Sequence, residues 1–82
     1  MNFGGQAFNP NSTINYQLPA GGYVTLKVYD MLGKEVAELV NEEKESGIYT
    51  VDFNAGNLSS GTYIYSIKVN EFSQSRKMLL LK

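Results

Sequence analysis

The sequence contains no cysteine and no histidine. Without cysteine, no disulfide supplements the core, and thiol usage gives no indication of the cellular compartment. Without histidine, the chain lacks the most common general base near neutral pH and the most common transition-metal ligand. These absences lead us to expect a protein that is not an enzyme and that uses no cofactor and no metal.

Strong net charge and long apolar runs are also missing. Seven Lys and Arg residues against eight Asp and Glu residues give a net charge of −1, which argues against nucleic-acid binding. The longest aliphatic run covers only residues 78–81, whereas a membrane-spanning helix needs roughly 20 apolar residues. The first residues lack the basic start and apolar centre of a signal peptide, so we expect a parent protein that continues upstream of Met1.

The length of 82 residues fits one small domain. Residues 1–11 are rich in Gly, Asn and Gln and contain Pro10, which predicts a linker or entry segment in front of a domain at residues 12–82. Within that segment, Phe8 either docks on a sheet edge or stays exposed.

Alternation of apolar and polar residues predicts strands along most of the domain. The predicted strands cover residues 12–18, 23–30, 48–53, 62–69 and 72–81. Residues 36–40 are ambiguous, since Val36, Leu39 and Val40 also have helical spacing, but a close preceding turn favours an extended segment with a bulge. The polar residues 41–47 are predicted to form a loop.

Six to seven short strands without a convincing helix predict an all-β fold, namely a small antiparallel Ig-like or fibronectin-III-like β-sandwich. Gly33 is placed where a tight turn needs a positive φ. Gly61 and Tyr63 follow a crossover loop in which the apolar side chain of Leu58 is expected to insert into the core. They suit a tyrosine corner, in which the phenol bonds to upstream backbone.

Three groups of residues offer candidate chemistry, each with a simpler structural interpretation. Tyr23 and Tyr29 are the tyrosines expected to be exposed and could stack on sugars, although most tyrosines here are in phase with core residues. Residues 52–57 carry potential oxygen ligands at alternate positions, as calcium-binding loops do. Position twelve of such a loop, however, would be Tyr63 and not the usual Glu. The carboxylates at 42–45 fit a solvated turn better than a hydrolytic pair, because no cleft is expected there.

The closing stretch, residues 76–82, is an apolar run with basic residues at its flanks. One interpretation is a final strand whose apolar side chains fill the core. The other is a tail that a partner recognises, and one strand can serve both purposes. Either Met78 and Leu80 or Leu79 and Leu81 face inward, and the sequence leaves that choice open.

Several motifs, taken in order, resemble one known family. These are residues 8–14, an entry motif; residues 28–36, a first hairpin; residues 58–65, a crossover and strand; and residues 77–82, the ending. Together they resemble the Ig-like C-terminal sorting domain of the type IX secretion system of Bacteroidetes-type bacteria. The fold is also similar to the Ig-like domain of the flagellar hook-capping protein. In the entry motif, Gln6 and Ala7 precede Phe8 where the family usually carries Asn-Pro.

The resemblance implies a non-catalytic signal that directs an upstream cargo protein through the periplasm to the cell surface. It implies as partners a secretion translocon and a sortase-like surface protease. The residues expected to carry recognition are those of the ending: Lys77, Met78, Leu79, Leu80, Leu81 and Lys82. Two alternatives stay open: a structural module of an extracellular filament that self-assembles by strand addition through residues 1–11, and a carbohydrate-binding accessory module.

Overall fold

The computed structural model describes residues 3–6 and 11–81, and these form seven β-strands. The strands are β1 (Phe3–Gln6), β2 (Asn11–Leu18), β3 (Gly22–Tyr29), β4 (Glu35–Lys44), β5 (Gly47–Asn54), β6 (Gly61–Val69) and β7 (Phe72–Leu80).

The strands form two antiparallel sheets. One sheet has the order β1-β2-β5, and the other has the order β4-β3-β6-β7. The chain therefore crosses between the sheets after β2, after β4 and after β5. This arrangement confirms the predicted antiparallel sandwich, and the described residues contain no helix.

One side of each sheet fills the space between them. In β2, β3 and β6, every second side chain is buried and its neighbours are half-buried or exposed, the burial pattern of a strand with one face on a core. The buried apolar residues are Ile14, Tyr16, Leu18, Val24, Leu26, Val28, Val40, Phe53, Ala55, Tyr63, Tyr65, Ile67, Val69, Met78 and Leu80. The alternation read from the sequence thus identified the inward faces of β2, β3 and β6.

The N-terminal segment differs from the linker predicted for residues 1–11. Residues 3–6 form β1, which pairs with β2 from Phe3 opposite Tyr16 to Gln6 opposite Thr13. Two adjacent glycines in β1 removed the side-chain alternation by which a strand is recognised in a sequence. Phe8, whose docking was left open, lies outside the described residues.

The β4 strand is extended, as the sequence favoured, but it runs further than predicted. Its pairing with β3 shifts register at two places, which leaves Val36 and Leu39 as extra residues on β4. The strand then continues to Lys44 through residues predicted to be a loop. Edge position explains this, because Glu42 and Glu43 pair through backbone atoms while both side chains remain exposed to water.

Candidate recognition surface

The last strand, β7, is an outer strand of the four-stranded sheet. It pairs with β6 over its whole length without a register shift, from Val69 opposite Phe72 to Gly61 opposite Leu80. The closing stretch is therefore integral to the fold as far as Leu80, one residue short of the predicted end. Lys82, which the sequence placed in the recognised ending, lies outside the described residues.

The pairing register decides which side chains of β7 face the core. Met78 lies opposite Tyr63, whose side chain is buried, so Met78 points inward as well. Met78 is 6% exposed and Leu80 is 0% exposed, whereas Leu79 and Leu81 are 46% and 52% exposed. The choice that the sequence left open is thus settled: Met78 and Leu80 fill the core, and Leu79 and Leu81 face solvent.

Lys77 lies on the outward face of β7 together with Leu79. Its backbone partner on β6 is Ile64, which in turn pairs with Tyr29 on β3. Ile64 and Tyr29 are half-buried, and Lys77 is exposed. Among the residues that the structure describes, Lys77 has no carboxylate within ion-pair distance. The outward face of β7 therefore offers apolar side chains beside an uncompensated positive charge.

The crossover into β6 is held by Tyr63. Its phenol donates a hydrogen bond of 2.8 Å to the backbone carbonyl of Ser59, which is the bond that defines a tyrosine corner. Gly61 between them has a φ of 153°, a backbone conformation that a side chain disfavours. Leu58 is half-buried against the core, as the sequence suggested. This corner fixes the strand against which β7 pairs.

The hairpin between β3 and β4 is ordered by Asp30. Its Oδ1 accepts hydrogen bonds from the backbone amides of Leu32 and Lys34, each at 2.9 Å. Gly33 has a φ of 87°, the positive value for which the turn needs glycine. Met31 and Leu32 occupy the tip and are 55% and 94% exposed. Sequence reasoning did not select these two residues, although apolar side chains inside so short a turn have little chance of reaching a core.

An aromatic cluster lies at the opening between β4 and β5. Tyr16 and Tyr49 stack with ring centroids 5.3 Å apart, and the Lys44 ammonium lies 5.0 Å from the Tyr49 ring. Lys44 also bonds Glu42 at 2.7 Å, which raises the pKa of the lysine. Burial raises the pKa of the Tyr16 phenol above its ordinary value. The adjoining cavity has a volume of about 190 Å³. The contacts among Tyr16, Tyr49 and Lys44 cover this side of the sandwich.

The two tyrosines considered for sugar stacking do not form one platform. Tyr23 is 55% exposed, but the Tyr29 side chain is partly buried. The prediction that both tyrosines are exposed is therefore wrong for Tyr29. They stand six residues apart on β3, which separates them by roughly 20 Å. The Tyr23 phenol donates a hydrogen bond of 2.6 Å to Oδ1 of Asn41.

The candidate calcium loop and the acidic cluster have structural roles. Oδ1 of Asn54 accepts a hydrogen bond of 2.9 Å from the amide of Gly56, which shapes the loop after β5. In the part of the chain that the structure describes, no three His, Cys, Asp or Glu residues group as metal ligands would. Glu42 and Glu43 are neighbours in β4 and point to opposite faces, so their carboxylates do not converge.

Across residues 3–6 and 11–81, no helix is long and apolar enough to cross a bilayer.

Comparison with known proteins supports the fold and the family. A search of curated proteins gives no significant match. Among solved structures, the Ig1 domain of mouse SynCAM 2 is similar to this chain, with a TM-score of 0.53, 9% sequence identity, and coverage of 96% of this chain and 92% of that one. At that identity the likeness concerns the Ig-like fold alone. Residues 9–81, nearly the whole chain, match the secretion system C-terminal sorting domain. The chain therefore belongs to the family of type IX secretion C-terminal sorting domains.

Proposed function

We propose that this domain is a non-catalytic address: it directs a cargo protein, joined upstream of residue 1, through the type IX secretion system to the cell surface. The observation that carries the proposal is the division of β7 into two faces. Met78 and Leu80 are buried, while Leu79 and Leu81 are exposed beside Lys77. An apolar side chain in water at the end of a fully paired strand adds little to stability, so a partner is a reason for it to be there.

A partner that recognises the outward face of β7 binds a surface that exists only in the folded domain. Leu79 reaches its outward position only when Met78 and Leu80 are seated in the core and β7 is paired with β6. A component of the secretion machinery that binds the outward face of β7 would therefore select cargo whose sorting domain has folded in the periplasm. Within the described residues, the edge of β7 away from β6 pairs with no strand, so strand addition there would supply backbone hydrogen bonds to the same partner.

The family membership suggests two later steps. A surface protease would cut the sorting domain from the cargo, and the released cargo would be anchored to surface lipopolysaccharide. The absence of histidine and cysteine and the divergent carboxylates of Glu42 and Glu43 favour a domain that is acted upon rather than one that catalyses.

A fusion assay tests the proposal. Residues 1–82 are joined to the C-terminus of a periplasmic reporter in a type IX-competent host, and surface display is measured by the access of external protease to the reporter. We expect display of the wild-type fusion, and its loss in a host without a functional translocon. A fusion that stays in the periplasm of the competent host would contradict the proposal.

Deletion of residues 77–82 also removes Met78 and Leu80, so it tests fold and signal together. The sharper variant is Leu79→Ser with Leu81→Ser, which leaves the buried face intact. Ile48→Ser is the matched control, because Ile48 is an apolar residue that is 79% exposed on β5 of the other sheet. We expect the double variant to lose display and the control to keep it. Normal display after deletion of residues 77–82 would show that the ending is not part of the signal.

A further inference from the structure

We infer that the recognised surface has a second part, the tip of the β3–β4 hairpin, and that the partner is a protein with an apolar groove bordered by carboxylates. We call the surface the apolar end, and it consists of Met31, Leu32, Leu79 and Leu81. The inference rests on the proposed function and extends it to residues outside the last strand.

Strand order and register place the two parts at the same end of the sheet. Tyr29, the last residue of β3, pairs with Ile64, and Ile64 pairs with Lys77. Neighbouring strands lie about 4.8 Å apart, so this row from β3 to β7 spans roughly 10 Å. The hairpin continues from Tyr29 in the direction in which β7 continues from Lys77 to Leu79. The hairpin tip and the chain's closing leucines thus lie beyond the same row of residues.

Exposed apolar side chains are concentrated there. Among residues 13–81, whose side chains the structure describes, seven large apolar side chains are exposed, and four of them form the apolar end. The other three, Tyr23, Ile48 and Phe72, stand at or next to the starts of β3, β5 and β7, toward the opposite end. Leu32, at 94% exposure, makes almost no contact with its own domain. A partner that covers the hairpin tip would bury this side chain.

The hairpin holds Met31 and Leu32 in place before any partner arrives. The backbone amide of Gly33 donates to the Asp30 carbonyl at 3.1 Å, and the Asp30 amide donates to the Lys34 carbonyl at 2.9 Å. With the two bonds to the Asp30 side chain, these contacts restrict the turn. A restricted turn loses less conformational entropy on binding, so it suits a contact that must be made with few residues.

Charge around the apolar end indicates the chemistry of the partner. Lys34 and Lys77 are exposed, and neither takes part in an ion pair within the described part of the chain. The carboxylates nearby are already engaged, since Asp30 accepts from backbone amides and Glu35 bonds Lys27 at 3.1 Å. Carboxylates on a partner would meet two free ammonium groups at the border of an apolar contact.

The shape of the surface favours a protein over a lipid bilayer. Leu79 lies on the outward face of the sheet, whereas Leu32 lies at the hairpin tip beyond the end of β3. A groove with walls on two sides suits both positions better than one flat membrane surface does. Two lysines also give weak attraction to anionic lipid, about 1 kcal/mol each.

The display assay with the reporter fusion tests the inference. We expect Met31→Ser with Leu32→Ser to lower surface display by roughly tenfold, as expected when two buried interface anchors are lost. Lys34→Glu with Lys77→Glu should lower display as well. Ile48→Ser and Lys68→Glu are the matched controls, since both residues are exposed and lie outside the apolar end. Thermal unfolding of each purified domain checks that the variants remain folded.

The outcomes separate this inference from the proposed function. Failure of the wild-type fusion to reach the surface contradicts the proposed function itself. Normal display of the hairpin variant, with display lost on the Leu79 and Leu81 substitutions, overturns only the two-part surface. Binding of the purified domain to phosphatidylglycerol vesicles that is lost on Leu32→Ser would overturn the protein groove in favour of lipid.

Discussion

Leu79 and Leu80 are adjacent in β7, yet Leu80 is completely buried and Leu79 is 46% exposed. The pair separates two roles, folding and recognition, that deletion of the ending would confound. Leu80→Ala should lower the free energy of unfolding by about 2–5 kcal/mol, because it leaves a cavity in the core. Leu79→Ala should change it by less than about 1 kcal/mol. Urea denaturation of both variants measures the difference, and equal losses would show that β7 is not seated as described.

Tyr63→Phe tests the tyrosine corner. The substitution keeps the ring in the core and removes only the hydrogen bond to the Ser59 carbonyl. We expect a loss of about 1–2 kcal/mol in unfolding free energy, since a part-buried carbonyl is left without its donor. Tyr23→Phe is the control, because its hydrogen bond to Asn41 is exposed and water can replace it. A larger loss for Tyr23→Phe in chemical denaturation would contradict this interpretation.

The hairpin turn should depend on Asp30 and Gly33. Asp30→Ala removes the acceptor of two amide hydrogen bonds, and we expect a loss of about 1–2 kcal/mol. Asp30→Asn keeps a side-chain oxygen and should lose less. Gly33→Ala has open space for its methyl group, so its cost of about 1–2 kcal/mol would come from the φ of 87° alone. Amide exchange of residues 32–34, followed by NMR, should quicken in Asp30→Ala and change little in Asp30→Asn.

Alkaline pH should destabilise the domain partly through Tyr16. Burial raises the pKa of its phenol in the folded state above the ordinary value of 10.0, so the unfolded chain loses this proton first as pH rises. The stabilising contribution is complete below pH 10.0 and is lost as pH rises through the higher pKa of the folded state. The pKa values of Lys27 and Lys44 are also raised, so they act in the same direction from 10.5 upward. Tyr16→Phe should therefore flatten, without abolishing, the fall in stability above pH 10.0, and urea denaturation at a series of pH values measures this.

The sequence predicted the sandwich because polar and apolar residues alternate clearly in β2, β3 and β6. It could not predict the orientation of β7, since Met78, Leu79, Leu80 and Leu81 are all apolar and alternation carries no information there. The pairing of Met78 with the buried Tyr63 supplies the answer, and that pairing is a long-range contact.

Two other differences between the predicted strands and the structure have local causes. Gly4 and Gly5 gave β1 no side-chain pattern, so the strand is identified only by its pairing with β2. The acidic residues at the end of β4 looked like a loop, because composition does not distinguish a solvated turn from a solvated edge strand. Residues 77–82 were predicted to be recognised because they form the ending, whereas Met31 and Leu32 stand out only from their exposure in the structure.

The bulges at Val36 and Leu39 have a consequence for how the domain behaves when many copies are crowded together. An edge strand with a regular backbone invites sheets to join, and aggregates grow in that way. On β4 the irregular backbone and the exposed glutamates oppose such growth, whereas β7 pairs with β6 without a break in register. Of the two outer strands of this sheet, only β7 keeps one register along its whole length, so contacts through the backbone are favoured on the side where the cargo address is proposed to be recognised.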